Sequence, residues 1–182
     1  GAGLNISEYQ RLNEFDTVNQ RYDLSFAYQP RDVWEIGFSG EYVDDYTFED
    51  ALEESGVLAD RSRRKRSTVR PFSTIALDDR NTLEASYGFT TTQHDLDSYS
   101  DYKVHSVTLS LFHALMNERS RIIFQGSGSD ATYKEPTADT EQTTYRGLVG
   151  FDHEFTEKTH MRLLGGAHYT ESDPELVLPL FR

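Results

Sequence analysis

The feature of this sequence that most restricts its fold is an alternation of apolar and polar residues with a period of two. In the segment NTLEASYGF, residues 81–89, apolar side chains occupy every second position, and polar or small residues lie between them. An α-helix would spread such a pattern around its circumference, whereas a β-strand places the two sets on opposite faces. The segment therefore predicts a strand with one apolar and one polar face.

The same alternation recurs along most of the chain, which indicates an all-β fold. Two further segments, TVRPFSTIAL and RIIFQGSGS, alternate less regularly, and both are also predicted as strands. We expect about eight strands between residues 20 and 170, a candidate extra strand within residues 1–19 and an irregular tail at residues 171–182. The regular segments are RYDLSFAY, VWEIGFSGEY, VTLSLF, YRGLVGFDHEF and MRLLGGAHY.

The connections between these strands are of two kinds, which alternate strictly along the chain. This order predicts an antiparallel up-and-down meander with short turns at one end and long loops at the other. A chain of 182 residues then forms a single domain or part of a larger one. The short charged turns are predicted at 29–32, 77–81, 116–120 and 155–159, and the longer polar loops at 45–66, 93–101 and 132–142.

Repeated hairpins with one apolar face and unequal ends are typical of a transmembrane β-barrel, whose strands need only about 10 residues each to cross. Tyr and Phe are abundant, at 11 each, and they cluster toward both ends of the predicted strands. Aromatic rings prefer the headgroup level of a bilayer, so this distribution favours two aromatic belts. The chain contains no run of about 18 apolar residues, which excludes a transmembrane helix.

Two of the predicted turns carry a resemblance to a known class. The turns LDDRN at 77–81 and FTEKT at 155–159 are similar to the LTERT-like turns of Gram-negative outer-membrane β-barrel proteins of the porin type. The resemblance covers about residues 20–170. It implies location in the bacterial outer membrane, contact with membrane lipid and lipopolysaccharide, and envelope protein partners. It also implies passage or binding of small hydrophilic solutes, or scaffolding of an envelope complex.

The C-terminal residues differ from the pattern of that class. Its members usually end on a strand that closes with an aromatic residue, whereas this sequence ends ESDPELVLPLFR, with two prolines and Arg182. We therefore expect either a segment of a larger barrel or an atypical end.

Composition excludes several other functions. The net charge is −13, and an acidic chain is a poor partner for nucleic acid because each phosphate contact needs a cation. The absence of Cys excludes disulfides and thiolate metal sites. No nucleophile lies beside a base in a recognisable setting, since GSGS at 126–129 lacks a strand–turn–helix context. The sequence therefore predicts that the protein is not an enzyme and has no cofactor.

Charged residues on the polar parity are candidates for the inner surface of a barrel. In a lumen they would form a ring of mixed charge that sets a local field for permeant ions. The candidates are Glu35, Glu41, Glu84, Arg146, Asp152 and Arg162.

A basic run, RSRRKRS, follows an acidic stretch in the first long loop. It indicates charge pairing within that loop, or contact with lipopolysaccharide phosphates at the outer leaflet, because Arg matches phosphate geometry. Its cations are Arg61, Arg63, Arg64, Lys65 and Arg66.

A partial calcium-loop pattern places Asp95, Asp97 and Asp101 at positions one, three and seven. The pattern is weak, because Tyr99 stands at position five and Ser100 replaces the required glycine.

The alternation of apolar and polar residues is also compatible with two other kinds of protein. In a soluble up-and-down barrel the apolar parity would face inward around a small apolar ligand. In an enzyme at a barrel rim, acidic and His residues would converge near His94, Asp95 and His168.

Overall fold

The computed structural model describes residues 2–7, 17–46, 62–96, 99–116, 119–134, 138–156 and 158–176. These residues form strands and their connections, and none of them is helical. No segment in these ranges forms a helix long and apolar enough to cross a membrane. The strands are β1 (Ala2–Ser7), β2 (Thr17–Arg31), β3 (Trp34–Tyr46), β4 (Arg63–Ala76), β5 (Asn81–His94), β6 (Asp101–Ala114), β7 (Ser120–Lys134), β8 (Ala138–Thr156) and β9 (Thr159–Leu176).

The strands form one antiparallel sheet in which each strand pairs with the next in the chain. The predicted all-β up-and-down meander is therefore confirmed, with eight long strands, β2 to β9, and the short β1 at one edge. Within the described ranges, no ladder joins β1 to β9, so the sheet is open and the outer edge of β9 has no strand beside it. Closure into a barrel stays a prediction.

Several strands are longer than the sequence pattern indicates. β3 and β4 continue into the segment expected as a loop, and β7 and β8 likewise shorten the loop expected at 132–142. β9 runs to Leu176, so the first part of the expected irregular tail is a strand. Cross-strand partners account for the first extension, because Asp44 and Asp45 lie opposite Lys65 and Arg64, and opposite charges stabilise such pairs.

The registers divide the side chains of the sheet into two faces. On the apolar face, Leu24 is 62% exposed and Leu109 is 51% exposed. On the polar face, Ile123 and Ser110 are buried. Side chains converge on the concave side of a curved sheet, so this asymmetry indicates that the sheet curves toward its polar face. The apolar face carries Tyr22, Leu24, Phe26, Tyr28, Ile36, Phe38, Tyr42, Val69, Leu83, Tyr87, Val107, Leu109, Phe124, Tyr145, Val149, Leu163 and Tyr169.

Packing on the polar face depends on one glycine of β3. Gly37 lies opposite Phe72, and a Cβ at this glycine would come within 2.7 Å of the Phe72 ring. The backbone oxygen of Phe26 and the Phe72 ring therefore occupy the space that a side chain at residue 37 would need. Gly126 lies on the apolar face, and a Cβ at this glycine would have no atom within 4 Å. A side chain at residue 126 would therefore meet open space.

The turn between β4 and β5 is closed by one aspartate. Asp78 Oδ1 accepts hydrogen bonds from the backbone N–H groups of Arg80 and Asn81, both at 2.8 Å. The side-chain amide of Asn81 also donates to Asp78, at 2.8–2.9 Å. The Asn81 amide, followed by the backbone N–H of Arg80, lowers the pKa of Asp78 below its ordinary value. The LDDRN segment thus forms a turn because one carboxylate accepts these bonds.

Candidate functional site

The polar face of the sheet is rich in hydroxyl groups that lie in register. Direct cross-strand pairs connect Ser106 to Ser129, Ser129 to Thr144, and Thr144 to Thr170. The hydroxyls of Thr144 and Thr170 lie 3.1 Å apart, within hydrogen-bond distance. A second pair, Thr68 and Thr90, has its hydroxyls 3.2 Å apart. Such a face can donate to and accept from polar solutes or water.

The registers place every charged residue proposed for a lumen on this polar face, as the alternation predicts. They do not lie in one cross-strand row, because Glu35 and Glu84 share a row that reaches β8 at Leu148, four residues from Asp152. The candidates on the polar face are Glu35, Glu41, Glu84, Arg146, Asp152 and Arg162.

Two of these candidates meet in an ion cluster that spans three strands. Asp152 on β8 is 4% exposed, and its Oδ2 accepts from Nη2 of Arg121 and of Arg162, each at 2.9 Å. The guanidinium of Arg121 also lies 5.5 Å from the centre of the Phe112 ring. Sequence reasoning missed Arg121, because only the register shows that it faces Asp152 from β7.

Glu41 lies in a second charge network, near the long-loop end. Its Oε1 is 2.9 Å from Arg21 Nη2 and 3.9 Å from Arg66 Nη2. Arg21 also contacts Asp23 at 3.3 Å. The remaining candidates differ, because Glu35, Glu84 and Arg146 form no ion pair with any described residue.

From Arg63 onward the basic run lies on β4, so the placement of these residues in a loop was wrong. Arg63 forms a bidentate pair with Asp44, at 2.6 and 2.7 Å, and Arg64 forms one with Asp45, at 2.9 and 2.7 Å. The strand forms here because each arginine has an acidic partner on β3.

The expected pairing of the run with the preceding acidic residues therefore holds for these two arginines and, more loosely, for Arg66. Lys65 forms no ion pair within the described ranges, and Arg61 lies outside them. Contact with lipopolysaccharide phosphates stays a prediction.

The calcium pattern finds no ligand group among the described residues. Asp101 Oδ1 instead accepts from the backbone N–H of His94 at 2.7 Å, and Asp97 lies outside the described residues. No group of three or more His, Asp or Glu side chains suited to a metal ion occurs within them. His94 and His168, proposed for an enzymatic rim with Asp95, lie on β5 and β9 and are not brought together.

Comparison of the chain with protein-family models, with curated proteins and with solved structures finds no match. The geometry of the sheet is therefore the basis for any functional proposal.

Proposed function

We propose that this chain forms wall strands of an outer-membrane-type β-barrel that passes or binds small hydrophilic solutes. The observation that carries the proposal is the exposed apolar face, which extends from β2 to β9. Leu24, Leu109, Val149 and Leu163 on this face are each more than half exposed. Soluble monomers rarely expose a continuous apolar surface of this extent, whereas lipid would cover it.

The order of residue types along the strands supports the same proposal. Toward the long loops, the apolar face carries Tyr22, Tyr42, Tyr145 and Tyr169 in cross-strand pairs. Trp34 lies near the short-turn end, where its Nε1 donates to Ser73 Oγ at 2.9 Å. Leucine and valine side chains lie between these two zones. Aromatic rings at two levels with aliphatic side chains between them match the profile of a bilayer.

The burial pattern is the reverse of the one that a soluble barrel with an apolar cavity would need. Such a barrel shields its apolar parity, but in this sheet the apolar parity is the exposed one. Among the described residues, the buried apolar side chains are Val43, Ile123 and Ala131, and all three belong to the polar face. This contrast favours a lipid environment outside and water inside.

An aqueous lumen also suits the unpaired charges of the polar face. Glu84 and Arg146 are exposed and have no ionic partner among the described residues, so they need water. A barrel of eight strands is filled by its own side chains. The proposal therefore includes a barrel with more strands than the eight long ones, β2 to β9, that the described sheet supplies.

The test is to refold the protein in detergent and compare its gel mobility before and after boiling, with far-UV circular dichroism alongside. We expect a β-rich, heat-modifiable band that forms only with detergent. Leu109→Arg should abolish this band, because an Arg at mid-bilayer on a lipid face costs about 2–4 kcal/mol. The control Thr108→Arg places the same residue on the opposite face and should preserve the band.

A β-rich protein that is soluble without detergent would overturn the proposal. Equal sensitivity of the band to Leu109→Arg and Thr108→Arg would overturn the assignment of the two faces.

A further inference from the structure

The arginines on the polar face fall into two groups. Most of them have an acidic partner: Arg21, Arg64, Arg66, Arg121 and Arg162. Arg70 and Arg146 have none within the described part of the chain, and both are exposed. A guanidinium stays charged at any physiological pH. These two residues therefore leave uncompensated positive charge on the polar face.

The surroundings of Arg146 offer hydrogen-bond donors and no carboxylate. Ser127 on β7 and His168 on β9 lie directly opposite it. Thr144 and Thr170 lie two residues farther toward the long loops, on the same face. Both neighbouring strands are described along this stretch, so the sheet itself supplies no acidic neighbour here.

The unpaired carboxylates lie in a different zone of the same face. Glu35 and Glu84 occupy the row of Thr74, four residues from Arg70 along β4. That spacing corresponds to about 13 Å along a strand. At this distance the carboxylates do not pair with Arg70. Glu84 on β5 is also three strands from Arg146 on β8, about 14 Å across the sheet, so neither arginine pairs with these carboxylates.

From this separation we infer that the polar face holds a binding site for an oxyanion group, a carboxylate or phosphate on a hydrophilic solute. Arg146 supplies the charge, and Ser127, Thr144 and His168 supply further polar contacts. A guanidinium matches the planar geometry of these anions through two parallel hydrogen bonds. The inference rests on the proposed function, because it needs this face to line a water-filled path.

The test measures ion selectivity of the complete barrel that contains this chain, in a planar bilayer and across a gradient of N-methyl-D-glucamine gluconate. The two ions carry similar hydroxylated chains and opposite charges, so the zero-current potential reports charge preference. We expect gluconate to be preferred. Arg146→Gln should lower the gluconate-to-cation permeability ratio about two- to tenfold, the effect of one charge at close range in a wet lumen.

Two control variants test the assignment. Arg80→Gln removes one positive charge from the turn between β4 and β5 and should leave the ratio unchanged. Arg146→Lys should retain most of the gluconate preference, and the heat-modifiable band should be present for each variant. A preference for the cation, or an unchanged ratio in Arg146→Gln, would overturn the inference. No conductance with any salt would instead count against the proposed function.

Discussion

The cluster formed by Arg121, Asp152 and Arg162 predicts a large, measurable loss of stability when the carboxylate is removed. A single oxygen, Asp152 Oδ2, accepts from Nε and Nη2 of Arg121 at 3.1 and 2.9 Å, and from those of Arg162 at 3.3 and 2.9 Å. Hydrogen bonds to a charged group contribute about 1.5–3 kcal/mol when shielded from water. Both arginine side chains are about half exposed, which reduces that contribution.

From these contacts we expect Asp152→Ala to lower the free energy of unfolding by about 1.5–3 kcal/mol. Arg121→Ala and Arg162→Ala should each lower it by about 0.5–1 kcal/mol, because each removes one of two cations. The double variant Arg162→Ala with Asp152→Ala should cost less than the sum of its two single variants.

The assay is urea unfolding of the protein folded in detergent micelles, followed by the fluorescence of Trp34, the single tryptophan of the chain. Asp130→Ala is the matched control, because Asp130 is an exposed aspartate of β7 with no ionic partner among the described residues. It should change the free energy of unfolding by less than about 0.5 kcal/mol. If Asp152→Ala were as mild as this control, the reasoning about the cluster would be refuted.

Three further predictions concern the turns and the strand pairs. Gly37→Val should cost more than about 2 kcal/mol in urea unfolding, because the new side chain overlaps the Phe72 ring, whereas Gly126→Val should be tolerated. Arg63→Ala should cost about 1–3 kcal/mol, because it leaves the buried Asp44 carboxylate without its bidentate partner; Arg66→Ala, whose partner Glu41 is 3.9 Å away, should cost less than about 1 kcal/mol. Asp78 has a lowered pKa, so the stability that its carboxylate gives is present above the ordinary value of 3.8 and is lost as the pH falls through the lower folded value. Wild type should therefore lose stability below about pH 4, and Asp78→Ala should lose less over the same range. Equal acid sensitivity of the two proteins would contradict this.

The two-residue alternation predicted most of the eight long strands, and the alternation of short and long connections predicted their order. A side chain on a strand has only two faces to choose from, so Leu83 and Glu84 could be assigned to opposite faces without knowing any neighbour. The strand ends were harder to predict, because Asp44, Asp45 and the arginines after them read as a polar loop. Only the cross-strand register shows that their charges pair.

The sequence could predict on which face of the sheet each candidate residue lies, but it could not predict the ionic partner of that residue. Arg146 and Arg162 both belong to the polar parity, and nothing local distinguishes them. Their difference arises from adjacent strands, since Arg162 lies opposite Asp152 and Arg146 lies opposite Ser127 and His168. Register depends on contacts between residues distant in sequence, which a single sequence does not display.

The outer edge of β9, which pairs with no other described strand, determines the orientation of any strand that comes to lie beside it. A residue that pairs opposite Leu163 must project from the apolar face, and one opposite Arg162 must project from the polar face, because paired residues share a face. A slip of one residue would place apolar side chains on the polar face and charged side chains on the apolar face, so only shifts by even numbers of residues keep both faces intact. The register of β9 therefore determines which side chains of the next strand join the apolar face and which join the polar face.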